Sequence, residues 1–197
     1  MKKIISLISI AVIIWSCDVA KQVAGTYQLT QCKYDYRSIS GLTLAGVNLQ
    51  NIHSLSSLNV TNIARLTGAF GSKSGSLPLS FTLNLNVTNP GNQTALLSGM
   101  GYILEIDGHQ MTSGFLDQKL QVAGGSNALL PISMSFDLKQ VLGGESLEAM
   151  KNLAFNFAGI GSNTSNVTVK LKPSFTIGGQ TINNPSYIPV SFQLNKK

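Results

Sequence analysis

The chain is poor in charge and nearly empty of the side chains that carry out chemistry. Only 11% of its 197 residues are charged, and it has two cysteines, two histidines, one tryptophan and eight carboxylates. Soluble domains usually carry roughly 25% charged residues. Disorder pairs low hydrophobicity with high charge, so a chain that is 43% hydrophobic with so few ions is not disordered. A coiled coil needs abundant Glu, Lys, Arg and Leu in heptads, and these are too scarce. No apolar run reaches the roughly 20 residues of a spanning helix. G-x-S-x-G, a P-loop and H-E-x-x-H are all missing.

What is present begins with an address. Lys2 and Lys3 precede an apolar run from Ile4 to Trp15 that is broken only by Ser6 and Ser9, and Ser16 and Cys17 follow. A positive n-region, a short h-region and a small residue before the cut form a secretory signal. Ile14-Trp15-Ser16-Cys17 resembles the bacterial lipobox, with Trp15 departing from the usual small or aliphatic residue. The resemblance implies diacylglycerol transfer to the Cys17 thiol, cleavage before Cys17 and acylation of the new amino group. The expectation is a signal over 1–16, a tether over 17–28 and a domain over 29–197. The bilayer is then a partner through acylated Cys17, and the location is the cell envelope, at either the outer or the inner membrane. With Cys17 used in this way, Cys32 has no intrachain partner and reads as a small buried hydrophobe.

Nineteen glycines with many Asn, Ser and Thr residues point to strands and turns. Phe81, Leu83, Leu85 and Val87 alternate with Thr82, Asn84, Asn86 and Thr88, the pattern of a strand with one buried face. Asn89-Pro90-Gly91-Asn92 ends it as a turn, and Asp107-Gly108 marks a hairpin between Met100–Ile106 and a return strand over His109–Leu116. Strands are also expected around Cys32–Arg37, Lys119–Val122, Ala128–Phe136, Leu153–Phe157, Val167–Leu171 and Val190–Leu194, with Pro131 favouring an edge. Residues 55–78 read as a helical insertion, with Ile63, Leu66 and Phe70 near helical spacing and Thr61 as N-cap. Asp137 caps a further helix holding Leu138, Val141 and Leu142, which Gly143-Gly144 separates from a second short piece with Leu147 and Met150. The class is all-β: a fibronectin-III/immunoglobulin-like β-sandwich of about seven to nine strands with one or two short helices.

Three segments carry a family likeness. Phe81–Pro90 (FTLNLNVTNP), Tyr102–Gly114 (YILEIDGHQMTSG) and Ile188–Leu194 (IPVSFQL), in that order, resemble the LEA type 2 domain, also called the water-stress/hypersensitive-response domain. The likeness runs from about Leu42 to the C-terminus and looks like Bacteroidetes lipoprotein members. It implies a folded fibronectin-III-like sandwich with a helix between its halves and a role in stress protection or, in some members, lipid handling. It supplies no catalytic residues, and the 55–78 insertion departs from its compact form.

No constellation for chemistry emerges. His53 and His109 are isolated, and His109 belongs to a turn. Glu105 with Asp107, and Glu145 with Glu148, read as solvated faces rather than an acid–base pair. Lys170, Lys172, Lys196 and Lys197 lack aromatic interleaving, so no nucleic-acid partner is expected. No cofactor or metal is expected either. The expectation is a non-enzymatic, membrane-anchored binding or protective module with lipid or envelope proteins as partners. The alternative is an apolar-ligand carrier using Ile63, Leu66 and Phe70. In that segment two readings stay open, a ligand contact or a cap on the open end of the sandwich.

Overall fold

Phe81, Leu83, Leu85 and Val87 are all buried, whereas Ser80, Thr82, Asn86 and Thr88 between them keep contact with solvent. A strand sends alternate side chains to opposite faces, so this one segment fixes which face of a sheet is inward. The computed structural model describes residues 24–25, 28–50, 52, 54–72, 75–161, 163–177 and 179–194. In chain order its elements are β1 (Lys33–Leu44), β2 (Val47–Asn48), α1 (Val60–Gly71), β3 (Pro78–Thr88), β4 (Ala95–Leu97), β5 (Gly99–Ile106), β6 (His109–Leu116), β7 (Leu120–Val122), β8 (Asn127–Asp137), α2 (Leu138–Val141), α3 (Leu147–Phe157), β9 (Ser165–Ile177), β10 (Gln180–Asn183) and β11 (Ile188–Leu194).

All strand pairs are antiparallel. One sheet runs β2-β1-β3-β8, and the other runs β10-β9-β5-β6 with β11 also on β9. A two-stranded ribbon, β4 with β7, sits beside them. Leu83, Leu85, Leu130 and Ile132 from the first sheet and Leu104, Val169 and Leu171 from the second are completely buried in one core. The architecture is an all-β sandwich. Pro131 lies in β8, which ends its sheet, so the amide proton it lacks costs no ladder bond. Asp107 (φ 49°) and Gly108 (φ 86°) are both left-handed, the geometry that a two-residue hairpin of this twist requires.

The outward faces explain the low charge. Ser80 pairs with Ser135 at 2.8 Å, Thr82 with Ser133 at 3.2 Å and Thr168 with Ser191 at 2.9 Å, and Asn84 Nδ2 donates to Ser40 Oγ at 2.9 Å. Hydroxyl and amide ladders across neighbouring strands do the work that ion pairs do elsewhere.

The helices cover one end of the sandwich. Asn59 Oδ1 accepts from Asn62 N at 2.8 Å, so Asn59, not Thr61, caps α1. Asn59 reaches the first turn because the helix starts at Val60. Lys139 Nζ then donates to Ala69 O at 2.6 Å and to Ser72 O, clamping the C-terminal carbonyls of α1 to α2. Asp137 Oδ1 accepts from Lys139 N at 2.9 Å and from Leu77 N at 3.1 Å, so the expected cap forms and also fixes the chain entering β3.

Two further expectations need correction. Leu153–Phe157 is not a strand: it is the second half of α3. Met150, Leu153, Ala154 and Phe157 are buried at i, i+3, i+4 and i+7, and Ser146 Oγ caps the helix at Ala149 N. The five-residue window imitates strand alternation, but the longer window has a helical period. The strands number eleven among the described residues rather than seven to nine. The surplus includes β2 and β4, which at two and three residues are too short to show a period.

Candidate functional site

The insertion and the second helical segment meet. Leu66 and Phe70, four residues apart on α1, are buried, while Ile63 on the same helix stays 44% exposed. Across from them α3 presents Leu147, Lys151 and Phe155 at i, i+4 and i+8, the spacing of one helical stripe. The rings of Phe70 and Phe155 meet edge-on with centroids 6.4 Å apart. Between the helices lies a hollow of about 390 Å³ lined by Leu58, Ile63, Leu66, Thr67, Phe70 and Gly71 on one side and Leu147, Lys151 and Phe155 on the other.

A second hollow of about 380 Å³ adjoins it and shares Phe70, Gly71 and Leu147. It continues past Ser72, Lys139, Gly143 and Met150. Together they form a trench rather than a compact pocket. Among the described residues no carboxylate lines either part. The trench therefore brings together Ile63, Leu66 and Phe70, the three residues singled out from the insertion. Part of the insertion also caps the core, through Leu66, Phe70 and Leu77. Leu147 falls in the expected second helical piece, but Lys151 and Phe155 are not legible as part of the same wall because Leu153–Phe157 imitates strand alternation. The i, i+4, i+8 stripe was the available signal.

The remaining candidates do not converge on it. Cys17 and His53 lie outside the described residues, as do Lys196 and Lys197. His109 opens β6 beside a small hollow of about 190 Å³ that Asp107 and Glu145 also line. Asp107 Oδ1 is engaged by Asn166 N at 2.8 Å, and Glu105 pairs with Lys170 at 2.5 Å. Among the described residues no group of three His, Cys, Asp or Glu side chains is placed to hold a metal ion. Cys32 is buried and its thiol donates to Gln28 O at 3.5 Å. Burial pushes its pKa up, which keeps the sulfur protonated and unreactive at neutral pH. Burial likewise raises the pKa of Tyr34, with the adjacent Cys32 adding a smaller push.

No protein-family model matches the chain, and no curated protein matches it. Solved structures do show likeness. A protein from Archaeoglobus fulgidus is 17% identical, with 64% of this chain and 91% of that one covered and a TM-score of 0.37. A protein from Arabidopsis thaliana is 12% identical over 60% and 68%, with a TM-score of 0.37. A candidate late embryogenesis abundant (LEA) protein is 13% identical over 98% and 83%, with a TM-score of 0.40. Likeness at this level carries no argument about the site, which rests on the chain's own residues.

Proposed function

We propose that this protein is a non-enzymatic binding module of the cell envelope, LEA type 2-like, held to a membrane by acylated Cys17, with the trench between α1 and α3 as its binding site for an apolar ligand. The observation that carries the reading is the trench itself: two adjoining hollows, mostly apolar in the first and lined by no carboxylate among the described residues, between two helices that leave Ile63 and Leu147 exposed. Its volume falls within the about 300–1,000 Å³ of small-molecule sites, which are mostly apolar with a few polar groups. Away from the trench, Glu105 is held in an ion pair with Lys170 and Asp107 accepts from Asn166 N on β9, which supports binding rather than acid–base catalysis.

The position of the trench favours a carrier over a plain protective surface. The chain enters the sandwich at the Lys33 end of β1, which pairs with Thr88. The trench lies by the opposite end, where Leu44 meets Leu79 and Pro78 follows α1. Twelve strand residues separate the two ends, on the order of 35 Å at the usual rise. A lipid tether at the N-terminal end would hold the trench away from its own bilayer, open to a ligand arriving from elsewhere.

Cys17→Ser should abolish palmitate incorporation and leave the signal uncleaved, so the variant runs as the larger precursor, held to the membrane only by its apolar Ile4–Trp15 segment. Palmitate labelling followed by fractionation by size checks it. A variant that still incorporates palmitate, or that still matures to the cleaved size, would contradict the tether.

A further inference from the structure

We propose that the trench takes a single-chain amphiphile with an anionic head, and that Lys151 meets that head. This rests on reading the trench as the binding site and adds the class of ligand. An apolar floor alone holds any alkyl chain, so selectivity must come from the polar groups at its edge. Among the described residues, two cations line the trench, Lys139 and Lys151, and no anion does.

Their situations differ. Lys139 is committed to the carbonyls of Ala69 and Ser72 at the end of α1. Lys151 forms no ion pair among the described residues and stands with Nζ 6.0 Å from the centroid of the Phe70 ring. Lys151 is half-buried and lines the trench, and a lysine so placed can lay its stem on apolar surface while its ammonium keeps to water. Glu148 lies one turn earlier on α3 and Arg65 lies on α1, but neither lines the trench. A chain laid along Ile63, Leu66 and Phe70 would follow about 12 Å of helix, at 1.5 Å per residue from Ile63 to Gly71. Its head would then reach a cation that lacks a counter-charge, next to a face where a charge-assisted hydrogen bond is stronger than in open water. A fatty carboxylate and an alkyl phosphate share the required chemistry.

The test uses the full chain in phosphatidylcholine nanodiscs and three probes with the same diazirine-bearing dodecyl chain: a carboxylate, a phosphate monoester and an alcohol. After photolysis, peptide mapping locates the label. Both anionic probes should label residues 58–71 or 147–155 more strongly than the alcohol, and the stronger of the two identifies the head. Lys151→Gln should cut anionic labelling roughly five-fold, the scale of a partly exposed ion pair, and leave alcohol labelling unchanged. Lys151→Arg should retain the anionic preference, which separates charge from fold, and thermal melting of all three proteins should coincide. Anionic labelling unchanged in Lys151→Gln, or an alcohol that labels equally well, overturns the head assignment and leaves the trench standing. No label in the trench from any probe overturns the binding site as well.

Discussion

Asn89→Ala should cost about 3 kcal/mol of stability and lower the melting temperature by roughly 6–12 °C. Asn89 is completely buried where β3 hands over to the turn. Its Nδ2 donates to Gln93 O at 2.7 Å and to Val122 O at 2.9 Å, and its Oδ1 accepts from Gly91 N at 3.0 Å. One side chain thus satisfies three backbone groups from two separate segments. Alanine leaves all three without that partner, and an orphaned buried polar group costs about 1–3 kcal/mol, with the sum reduced where water can enter. The backbone adds to the lock: Asn89 N donates to Ser126 O at 2.9 Å and Gly125 N to Gly91 O at 2.8 Å. A Cβ on Gly91 would come within 2.1 Å of the Gln28 side-chain amide, which would have to shift to make room. Asn89→Asp should be no milder, because a carboxylate cannot donate to the two carbonyls and its charge would be buried. Urea and thermal unfolding of the variants measure the effect.

Phe81→Ala should be at least as damaging, at about 3–5 kcal/mol, since it removes a large buried ring and leaves a cavity. Phe81 is 4% exposed and meets Phe136 edge-on at 6.3 Å and Phe157 at 4.9 Å between centroids. Phe157 ends α3, so the cavity would open under the helix that forms one wall of the trench. The expected result is therefore double: lower stability by calorimetry, and weaker ligand retention at temperatures where the variant is still folded. Ile63→Ala, at an exposed position on α1, should change stability by less than about 1 kcal/mol and serves as the contrast.

The strands were legible where one face is buried over many residues. β3 and β8 pair register by register from Pro78 with Asp137 to Thr88 with Asn127, and both alternate in sequence. The Asp107-Gly108 hairpin was legible because its backbone demands a special residue pair. Asn89-Pro90 could be read as a turn, but the span of Asn89 to Val122 could not, because that contact joins segments 33 residues apart. The same limit governs the trench. Ile63, Leu66 and Phe70 show their spacing within one helix, whereas the facing wall of Leu147, Lys151 and Phe155 is set by how α3 packs across α1. Local period reports which face of an element is apolar; it does not report what that face meets. The even spread of Ser, Thr and Asn gave the low charge directly, and the paired ladders on both sheets give its physical reason.

If the trench holds a ligand rather than merely closing the sandwich, filling it must displace that ligand. Thr67 lines it from the exposed side of α1, so Thr67→Trp places an indole where the ligand's chain would lie without touching the core. The direct measurement is native mass spectrometry of the wild-type and Thr67→Trp proteins purified side by side. The wild type should carry one alkyl-chain adduct and the variant should be bare, with equal melting temperatures. A bare wild type, or an adduct that survives Thr67→Trp, would contradict the account.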